Sequence, residues 1–269
     1  MHPLLPGLAL TVALLATPAL AHGQEPDPSP PVQAEGTAIE PKAPQPQPEA
    51  EAPEQRVIRK FFVDVGRDYK AWFTLDSTRT LIYGTATTMF LRPADEALTE
   101  RGFPVVGEGL SGGQQYGNVT LQVPLAVGWW AIGRMAGSPR AADAGRDMLR
   151  AQINAASFTY AIKYAVRRTR PNGEPRSFPS GHASATFATA TVLHIHYGWK
   201  LGLPFYLLGV YTAGSRIEDK KHWLTDTVMG ATVGVTAGRA VTFHLKRRPV
   251  QVMPGIVPGG AQLHFIVEP

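Results

Sequence analysis

Six stretches of helical periodicity constrain the fold of this chain more than any other feature of its sequence. In each stretch apolar residues recur at helical spacing, and clusters of Gly, Pro and polar residues separate one stretch from the next. Several stretches are apolar nearly all round, which is typical of helices buried in a bundle or in contact with a membrane. The sequence therefore predicts an all-α bundle of about six helices. The predicted helices are residues 80–90, 119–135, 141–168, 183–196, 203–213 and 223–245.

The two ends of the chain differ from this helical region. Residues 1–21 contain an apolar stretch, Leu4–Ala16, followed by Ala19-Leu20-Ala21, the small-x-small pattern of signal-peptide cleavage, so we favour a cleaved signal over an uncleaved anchor. Residues 22–56 hold nine prolines, seven acidic residues and no aromatic residue, which predicts a disordered linker. Residues 57–247 form the predicted helical domain. Residues 248–269 are expected to form a short C-terminal β-hairpin and tail, because strand-like runs flank a Pro/Gly-rich stretch.

Charge and composition narrow the classes of function. The chain has no cysteine, which excludes disulfides, thiolate metal sites and a thiol nucleophile. Without the acidic linker, 24 basic and 14 acidic residues remain, a net charge of +10. Such a domain suits anionic partners, and since no nucleic-acid motif is found, phosphate esters or anionic lipids are preferred. The mean hydropathy of −0.09 argues against six membrane spans.

The first candidate motif is Lys163 followed by Arg170-Pro171. On a continuous helix, residues seven apart lie two turns apart on one face, and we expect Pro171 to end that helix. Two cations on one face repel each other unless an anion lies between them. The alternative is a solvated basic face, which the neighbouring Arg167 and Arg168 would also suit.

The second motif, Pro179-Ser180-Gly181-His182, precedes a predicted helix. Ser180 is a candidate N-cap, and Gly181 allows close approach of a ligand to the backbone. The free amides of such a helix start form an anion site, and His182 would stand beside it to give or take a proton. An ordinary N-cap with an exposed histidine is the alternative.

The third motif is Ser215-Arg216, then His222, then Asp226. Residues 222 and 226 are expected to meet on one helical face, where the carboxylate would fix the imidazole tautomer and leave the other ring nitrogen as a nucleophile. A loop through residues 218–220 is expected to redirect Arg216. A surface ion pair is the alternative.

Together and in this order, the three motifs resemble the signature of the type-2 phosphatidic acid phosphatase and vanadium haloperoxidase superfamily. That signature is Lys-x6-Arg-Pro, then Pro-Ser-Gly-His, then Ser-Arg-x5-His-x3-Asp, and every specified position is matched between Lys163 and Asp226. The resemblance implies a helical bundle with its site at one end. It also implies a phosphatase that needs no metal or other cofactor, although vanadate could occupy the phosphate site.

By position, the resemblance implies a role for each residue. His222 would attack phosphorus and form a phosphohistidine, Asp226 would orient it, and His182 would protonate the leaving oxygen and later activate water. The remaining residues would hold the phosphoryl oxygens: Lys163, Arg170, Ser180, Gly181 and Arg216.

The preferred substrate class is a phosphomonoester or pyrophosphate, with lipid phosphates such as phosphatidic acid ahead of small soluble esters. An exported enzyme of the periplasm or cell envelope, with possible peripheral contact to the membrane, is expected from the signal and the basic domain. Three alternatives stay open at this point. They are a broad-specificity soluble acid phosphatase, a vanadate-dependent haloperoxidase and a non-catalytic protein that binds anions or lipids.

Overall fold

The computed structural model describes residues 12–14, 53–101, 112–246, 250–257 and 260–267. The helices of residues 54–246 form one compact unit, and the strands lie in a second unit. The longer helices are α1 (Pro53–Ala71), α2 (Leu75–Leu91), α5 (Val119–Met135), α6 (Pro139–Val166), α7 (Gly181–Tyr197), α8 (Trp199–Glu218) and α9 (Leu224–Val241). The short ones are α3 (Asp95–Arg101), α4 (Gly112–Tyr116) and α10 (Phe243–Lys246), and a 3-10 turn covers Arg92–Ala94.

The predicted all-α bundle is confirmed, because each of the six predicted helices has a counterpart in α2 or α5–α9. The counterpart of residues 203–213 is longer at both ends, and α1 has no predicted counterpart. A segment rich in Pro and acidic residues precedes α1, whose first residue is Pro53. Proline is tolerated in the first turn of a helix, where its missing N–H leaves no hydrogen bond unmade. The predicted linker otherwise lies outside the described residues.

Helix α7 lies at the centre of the bundle and packs against α5, α6, α8 and α9. Its closest neighbour is α9, and glycines allow that close approach. A Cβ at Gly230 would lie 2.4 Å from the carbonyl oxygen of Ser180, and one at Gly234 would lie 2.3 Å from that of Ser184. Real side chains do not tolerate such distances, so these two glycines set the spacing between the start of α7 and the first half of α9.

The residue that follows α1 packs against α6. The ring of this residue, Trp72, stacks on Phe158, with ring centroids 3.6 Å apart, and its Nε1 donates to Asn154 Oδ1 at 3.1 Å. A buried tryptophan with its N–H satisfied stabilises a core contact without leaving a polar group unpaired. This contact fixes the N-terminal helix along α6.

The second unit contains a three-stranded antiparallel sheet in the order β1-β3-β2, formed by Val12–Leu14, Val250–Val257 and Gly260–Val267. Strands β2 and β3 form a hairpin in which Val250 pairs with Val267 and Val257 with Gly260. The predicted C-terminal hairpin is thereby confirmed, with a longer first strand than expected. Strand β1 lies within residues 1–21, for which the sequence predicts a signal peptide.

Candidate active site

Lys163 and Arg170 come together, but not in the way the spacing suggested. Helix α6 ends at Val166, and Arg167 takes a left-handed conformation with φ 52°. Arg170 follows in a loop, where its N–H donates to the Glu174 carbonyl at 2.8 Å. The predicted shared helical face is therefore wrong. A left-handed residue ends the helix before Arg170, and the returning loop brings its side chain to the cavity that Lys163 also lines.

Lys163 is a buried ammonium that the protein holds by its own backbone. Its Nζ donates to the carbonyl oxygens of Arg176 at 2.9 Å and Ser177 at 3.1 Å. Burial, together with the charges of Arg170 and Arg176, lowers the pKa of Lys163 to about 8, against the attraction of Asp226. An ammonium has three N–H donors, so the two carbonyls leave one for a ligand in the cavity.

Ser180, Gly181 and His182 form the start of α7, as predicted. Ser180 is the N-cap, with its Oγ accepting from the Ala183 N–H at 3.5 Å, and its own N–H donates to the Asp226 carbonyl at 2.8 Å. Gly181 and His182 line the cavity. A Cβ at Gly117 would lie 2.8 Å from the Cβ of His182, so this glycine allows the chain to pass directly behind the histidine.

Arg216 lies in the last turn of α8, and the predicted break after it is present. The helix ends at Glu218, and the N–H groups of Lys221 and His222 both donate to the Arg216 carbonyl at 3.1 Å. This turn ties the backbone of His222 to that of Arg216. The Arg216 Nη1 donates to Gln114 Oε1 at 2.9 Å and to Asp219 Oδ2 at 2.7 Å.

His222 and Asp226 are paired across a helix start rather than along one helical face. Helix α9 begins at Leu224, with Trp223 as its N-cap, so His222 lies outside it. Asp226 Oδ2 accepts from the Trp223 N–H at 2.9 Å and lies 3.5 Å from His222 Nδ1. The predicted contact is present, but the predicted helical geometry is wrong, because Asp226 caps the helix and faces back toward the preceding residues.

Burial and the neighbouring cations lower the pKa values of the two histidines. Burial lowers the pKa of His182 to about 4, and the charge of Arg216 adds to the effect. Burial also lowers the pKa of His222 to about 4, against the hydrogen bond that His222 donates to Asp226. The pKa of Asp226 is lowered although burial acts to raise it, because His222, Ser177 and the Trp223 N–H donate to its carboxylate. Both imidazoles are therefore neutral near pH 7 and Asp226 is ionised.

Two further residues contact Asp226, and sequence reasoning did not single them out as functional. Ser177 Oγ donates to Asp226 Oδ2, and Arg168 Nη1 donates to Asp226 Oδ1 at 2.9 Å. Arg168 had been considered only as part of a solvated basic face. No pattern in the sequence distinguishes it from Arg167, since the distinction arises from the left-handed residue that sends the two side chains in different directions.

The two histidines and the three cations Lys163, Arg170 and Arg216 line a cavity of about 760 Å³. One wall is cationic and carries both histidines, and another is formed by the α6 residues Ala156, Tyr160 and Tyr164. Within the described part of the chain, no group of three or more His, Cys, Asp or Glu side chains could hold a metal ion. The cavity lining is: Gly117, Asn118, Val119, Gln152, Ala155, Ala156, Thr159, Tyr160, Lys163, Tyr164, Arg170, Glu174, Pro175, Arg176, Gly181, His182, Ser184, Ala185, Arg216 and His222.

The fold and this cavity define the class of protein: an all-α bundle with a cationic, histidine-bearing pocket. Residues 146–249 match the model of the PAP2 superfamily. This match covers α7 to α9 and all eight residues predicted for the site. The resemblance proposed from the three motifs is thereby confirmed.

Relatives with curated names extend this finding. The chain is 33% identical over 135 residues to the lipid A 1-phosphatase of Porphyromonas gingivalis, which is 45% of this chain and 28% of that protein. It is 34% identical over 80 residues to the lipid A 4'-phosphatase of Helicobacter pylori, which is 29% of this chain and 38% of that protein. The matched region thus spans well under half the length of either relative.

A solved structure shares the fold. The crystal structure of a transmembrane PAP2 type phosphatidylglycerolphosphate phosphatase from Bacillus subtilis superposes with a TM-score of 0.50 and 19% sequence identity, covering 71% of this chain and 94% of the other. In the present chain, no helix among the described residues has the length and apolar character needed to cross a membrane.

Proposed function

We propose that this protein is a metal-independent phosphatase that hydrolyses phosphomonoesters or pyrophosphates. The observation that supports this most is the single cavity that gathers Lys163, Arg170 and Arg216 around His182 and His222. A phosphoryl group in transfer spreads charge over three equatorial oxygens, and fixed cations can stabilise that charge without a metal. The named relatives support the same chemistry, since both are phosphatases.

In the proposed mechanism, His222 is the nucleophile. Its Nδ1 faces Asp226, so its Nε2 carries the lone pair that attacks phosphorus. The bond from phosphorus to the ester oxygen breaks as the bond from phosphorus to Nε2 forms, and the leaving oxygen takes a proton from His182. Water then attacks the phosphohistidine, giving its proton to His182, and inorganic phosphate leaves. At the start of α7 the Gly181 N–H would support the phosphoryl oxygens, whereas the Ser180 N–H already donates to the Asp226 carbonyl.

His182 must carry a proton to act as the acid, and its pKa of about 4 is too low for that near neutral pH. The causes of the low pKa are burial and the surrounding positive charges. A phosphate dianion bound between those cations offsets their repulsion and favours the imidazolium. We therefore propose that substrate binding itself raises the pKa of His182 and is accompanied by proton uptake.

For the substrate we propose a phosphorylated lipid. The two named relatives act on lipid A phosphates by their names. In this chain the aromatic side chains of Tyr160 and Tyr164 lie at the cavity and are 59% and 56% exposed, which suits contact with an amphiphile. Large apolar side chains elsewhere on the bundle are also exposed, among them Phe73, Phe90 and Met135. We propose that the protein is exported and works at the cell envelope, in peripheral contact with a membrane.

The test is a hydrolysis assay of the full chain with EDTA present. The substrates are phosphatidic acid and lipid A in mixed micelles, and p-nitrophenyl phosphate in solution. We expect phosphate release in EDTA, a higher kcat/KM for the lipids, competitive inhibition by vanadate, and an acid-labile, alkali-stable phosphoenzyme on rapid quench. A strict metal requirement would contradict the histidine mechanism, and a preference for p-nitrophenyl phosphate would contradict the lipid assignment.

A further inference from the structure

The carboxylate of Asp226 is held on both of its oxygens. It is fully buried, with 0% of its surface exposed. Oδ2 accepts from Ser177 Oγ and from the Trp223 N–H, and it also faces His222 Nδ1. Oδ1 has a different donor, Arg168 Nη1 at 2.9 Å. The donor on Oδ1 therefore determines how the carboxylate plane is rotated, and hence how Oδ2 is presented to the histidine.

Arg168 is itself fixed from three sides. Its Nη1 also contacts Thr225 Oγ1 at 2.7 Å, and its Nη2 donates to Asp95 Oδ2 at 2.7 Å. The guanidinium carbon lies 5.1 Å from the centre of the Trp223 ring, close enough for a cation–π contact. A planar guanidinium bound at both ends and stacked on one face has little freedom to rotate.

Asp95, which binds Arg168, also binds Thr225 at the start of α9. Its Oδ1 accepts from the Thr225 N–H at 2.9 Å, and its Oδ2 accepts from Thr225 Oγ1 at 2.6 Å. Asp95 is 3% exposed and begins α3, a helix far from the motifs in sequence. One carboxylate thus holds both Arg168 and the first turn of the helix that carries Asp226.

We propose that Arg168, fixed by Asp95, is a positioning residue that orients the Asp226 carboxylate and, through it, His222. This inference rests on the proposed phosphatase function. Arg168 is not among the residues that line the cavity, so it acts without contact to the substrate. Its neighbour Arg167 differs from it, because Arg167 is exposed at the end of α6 and donates to the Tyr164 carbonyl at 3.0 Å.

The experiment compares Arg168→Gln and Arg168→Lys in the full chain with wild type and with the control Arg146→Gln. Arg146 forms an exposed ion pair with Asp143 outside the proposed site. A misplacement of about 1 Å at a nucleophile can cost about 100-fold, so we expect kcat to fall about 10- to 100-fold in Arg168→Gln, with KM within about 3-fold of wild type. Lysine cannot reach both carboxylates at once, so partial activity is expected for Arg168→Lys. Arg146→Gln should retain wild-type kinetics.

A double-mutant cycle with Asp226→Asn separates positioning from general damage. If Arg168 acts through Asp226, adding Arg168→Gln to Asp226→Asn should lower kcat by less than about 3-fold. Multiplicative losses, or an unchanged kcat in a folded Arg168→Gln, would overturn the inference. If Arg168→Gln does not fold, Asp95→Asn replaces it in the same cycle with the same criterion, because asparagine keeps an acceptor for Thr225. Inactive wild-type protein would instead contradict the proposed function.

Discussion

Two buried His–Asp pairs lie near opposite ends of α6, and they differ in what surrounds them. At one end, Asp147 accepts from His196 Nε2 at 2.9 Å and from Arg150 Nη2 at 2.7 Å. At the other end, about 24 Å along the helix by a rise of about 1.5 Å per residue, Lys163 lines the cavity of His222. We call the first group, formed by Asp64, Asp68, Asp147, Arg150 and His196, the carboxylate cluster. We call the second, formed by Lys163, Arg170, Arg216, His182 and His222, the cation cluster.

The carboxylate cluster has three carboxylates around one arginine, whereas the cation cluster has three cations, of which Arg170 pairs with Glu174 and Arg216 with Asp219. Arg150 lies 3.5 Å from Asp68 and 3.8 Å from Asp64 in addition to its contact with Asp147. Part of the negative charge of this cluster is met by a proton, since burial raises the pKa of Asp68 to about 7. In the cation cluster the positive charges lower one another's proton affinity and face the cavity. A His–Asp pair alone therefore does not indicate a catalytic site, because both clusters lie beside a cavity and they differ in the sign of the charge around the pair.

The test with the largest expected effect replaces the histidine of each His–Asp pair by glutamine. We expect His222→Gln to lower kcat/KM by at least about 10³-fold, because loss of a nucleophile removes the covalent step. His196→Gln should leave kcat/KM within about 3-fold of wild type. Phosphate release from p-nitrophenyl phosphate and phosphatidic acid measures both. The comparison fails if His196→Gln is as inactive as His222→Gln while still folded.

The second test compares two cations by stability rather than activity. Arg150→Met strands the buried carboxylates of Asp68 and Asp147, and breaking such a group costs about 3–5 kcal/mol. For a domain of this size that corresponds to a fall in Tm of roughly 6–20 °C. Lys163→Met removes a charge that its neighbours already disfavour, so we expect a much smaller change in Tm with a large loss of activity.

Differential scanning calorimetry of both variants at pH 7 supplies the measurement. Arg146→Met, which disrupts an exposed ion pair, is the matched control and should change Tm by at most a few degrees, because such pairs contribute about 0–1 kcal/mol. Equal losses of Tm in Arg150→Met and Lys163→Met would show that both clusters serve stability alike.

The third test asks whether the cation cluster binds a dianion as its charge predicts. Sulfate stays doubly charged across the accessible pH range, so any pH effect on its binding comes from the protein. We expect sulfate to raise Tm below pH 8, and the increment to decline above pH 8 as Lys163, whose pKa is about 8, loses its proton. Arg216→Gln should show a much smaller increment at every pH. An increment that is the same in Arg216→Gln would reflect only the general effect of sulfate on the protein surface.

The sequence predicted the residues of the site better than it predicted the residues that hold them in place. The eight predicted residues follow from short motifs with recognisable local chemistry, and some of the contacts that hold them are also local, such as Arg216 with Asp219 and the Trp223 N–H with Asp226. The geometry was misjudged at two helix boundaries: α6 ends at Val166 with a left-handed Arg167, and α9 begins only at Leu224.

The residues that hold the site in place were not predicted, because their contacts join distant parts of the chain. Asp95 meets Thr225 across 130 positions, and Arg168 meets Asp95 across 73. Nothing local marks Asp95 as buried, since an acidic residue at the start of a helix is ordinarily a solvated one. The carboxylate cluster was missed for the same reason: Asp64 and Asp68 belong to α1, and only the tertiary fold brings them to Arg150.

The smallest expected effect is a difference in how the two clusters respond to pH. Folding lowers the pKa of His182 from 6.5 to about 4, so its contribution to stability is present above pH 6.5 and is lost as the pH falls toward 4. Folding raises the pKa of Asp68 from 3.8 to about 7, so its contribution is present below pH 3.8 and is lost as the pH rises toward 7. The two clusters therefore tilt the stability curve in opposite directions between about pH 4 and 6.5.

Single substitutions should separate these two opposite pH dependences of stability. Asp68→Asn removes a contribution to stability that falls as the pH rises. The Tm of this variant should therefore rise more steeply with pH than that of wild type between pH 4 and 6.5. His182→Gln removes a contribution to stability that grows as the pH rises, so the Tm of this variant should rise less steeply with pH than that of wild type. One proton is worth at most about 1.4 kcal/mol per pH unit, or roughly 3–5 °C in Tm. Parallel curves for the two variants would mean that neither shift exists. Slopes of the opposite order would mean that the charge environments of the two clusters are assigned the wrong way round.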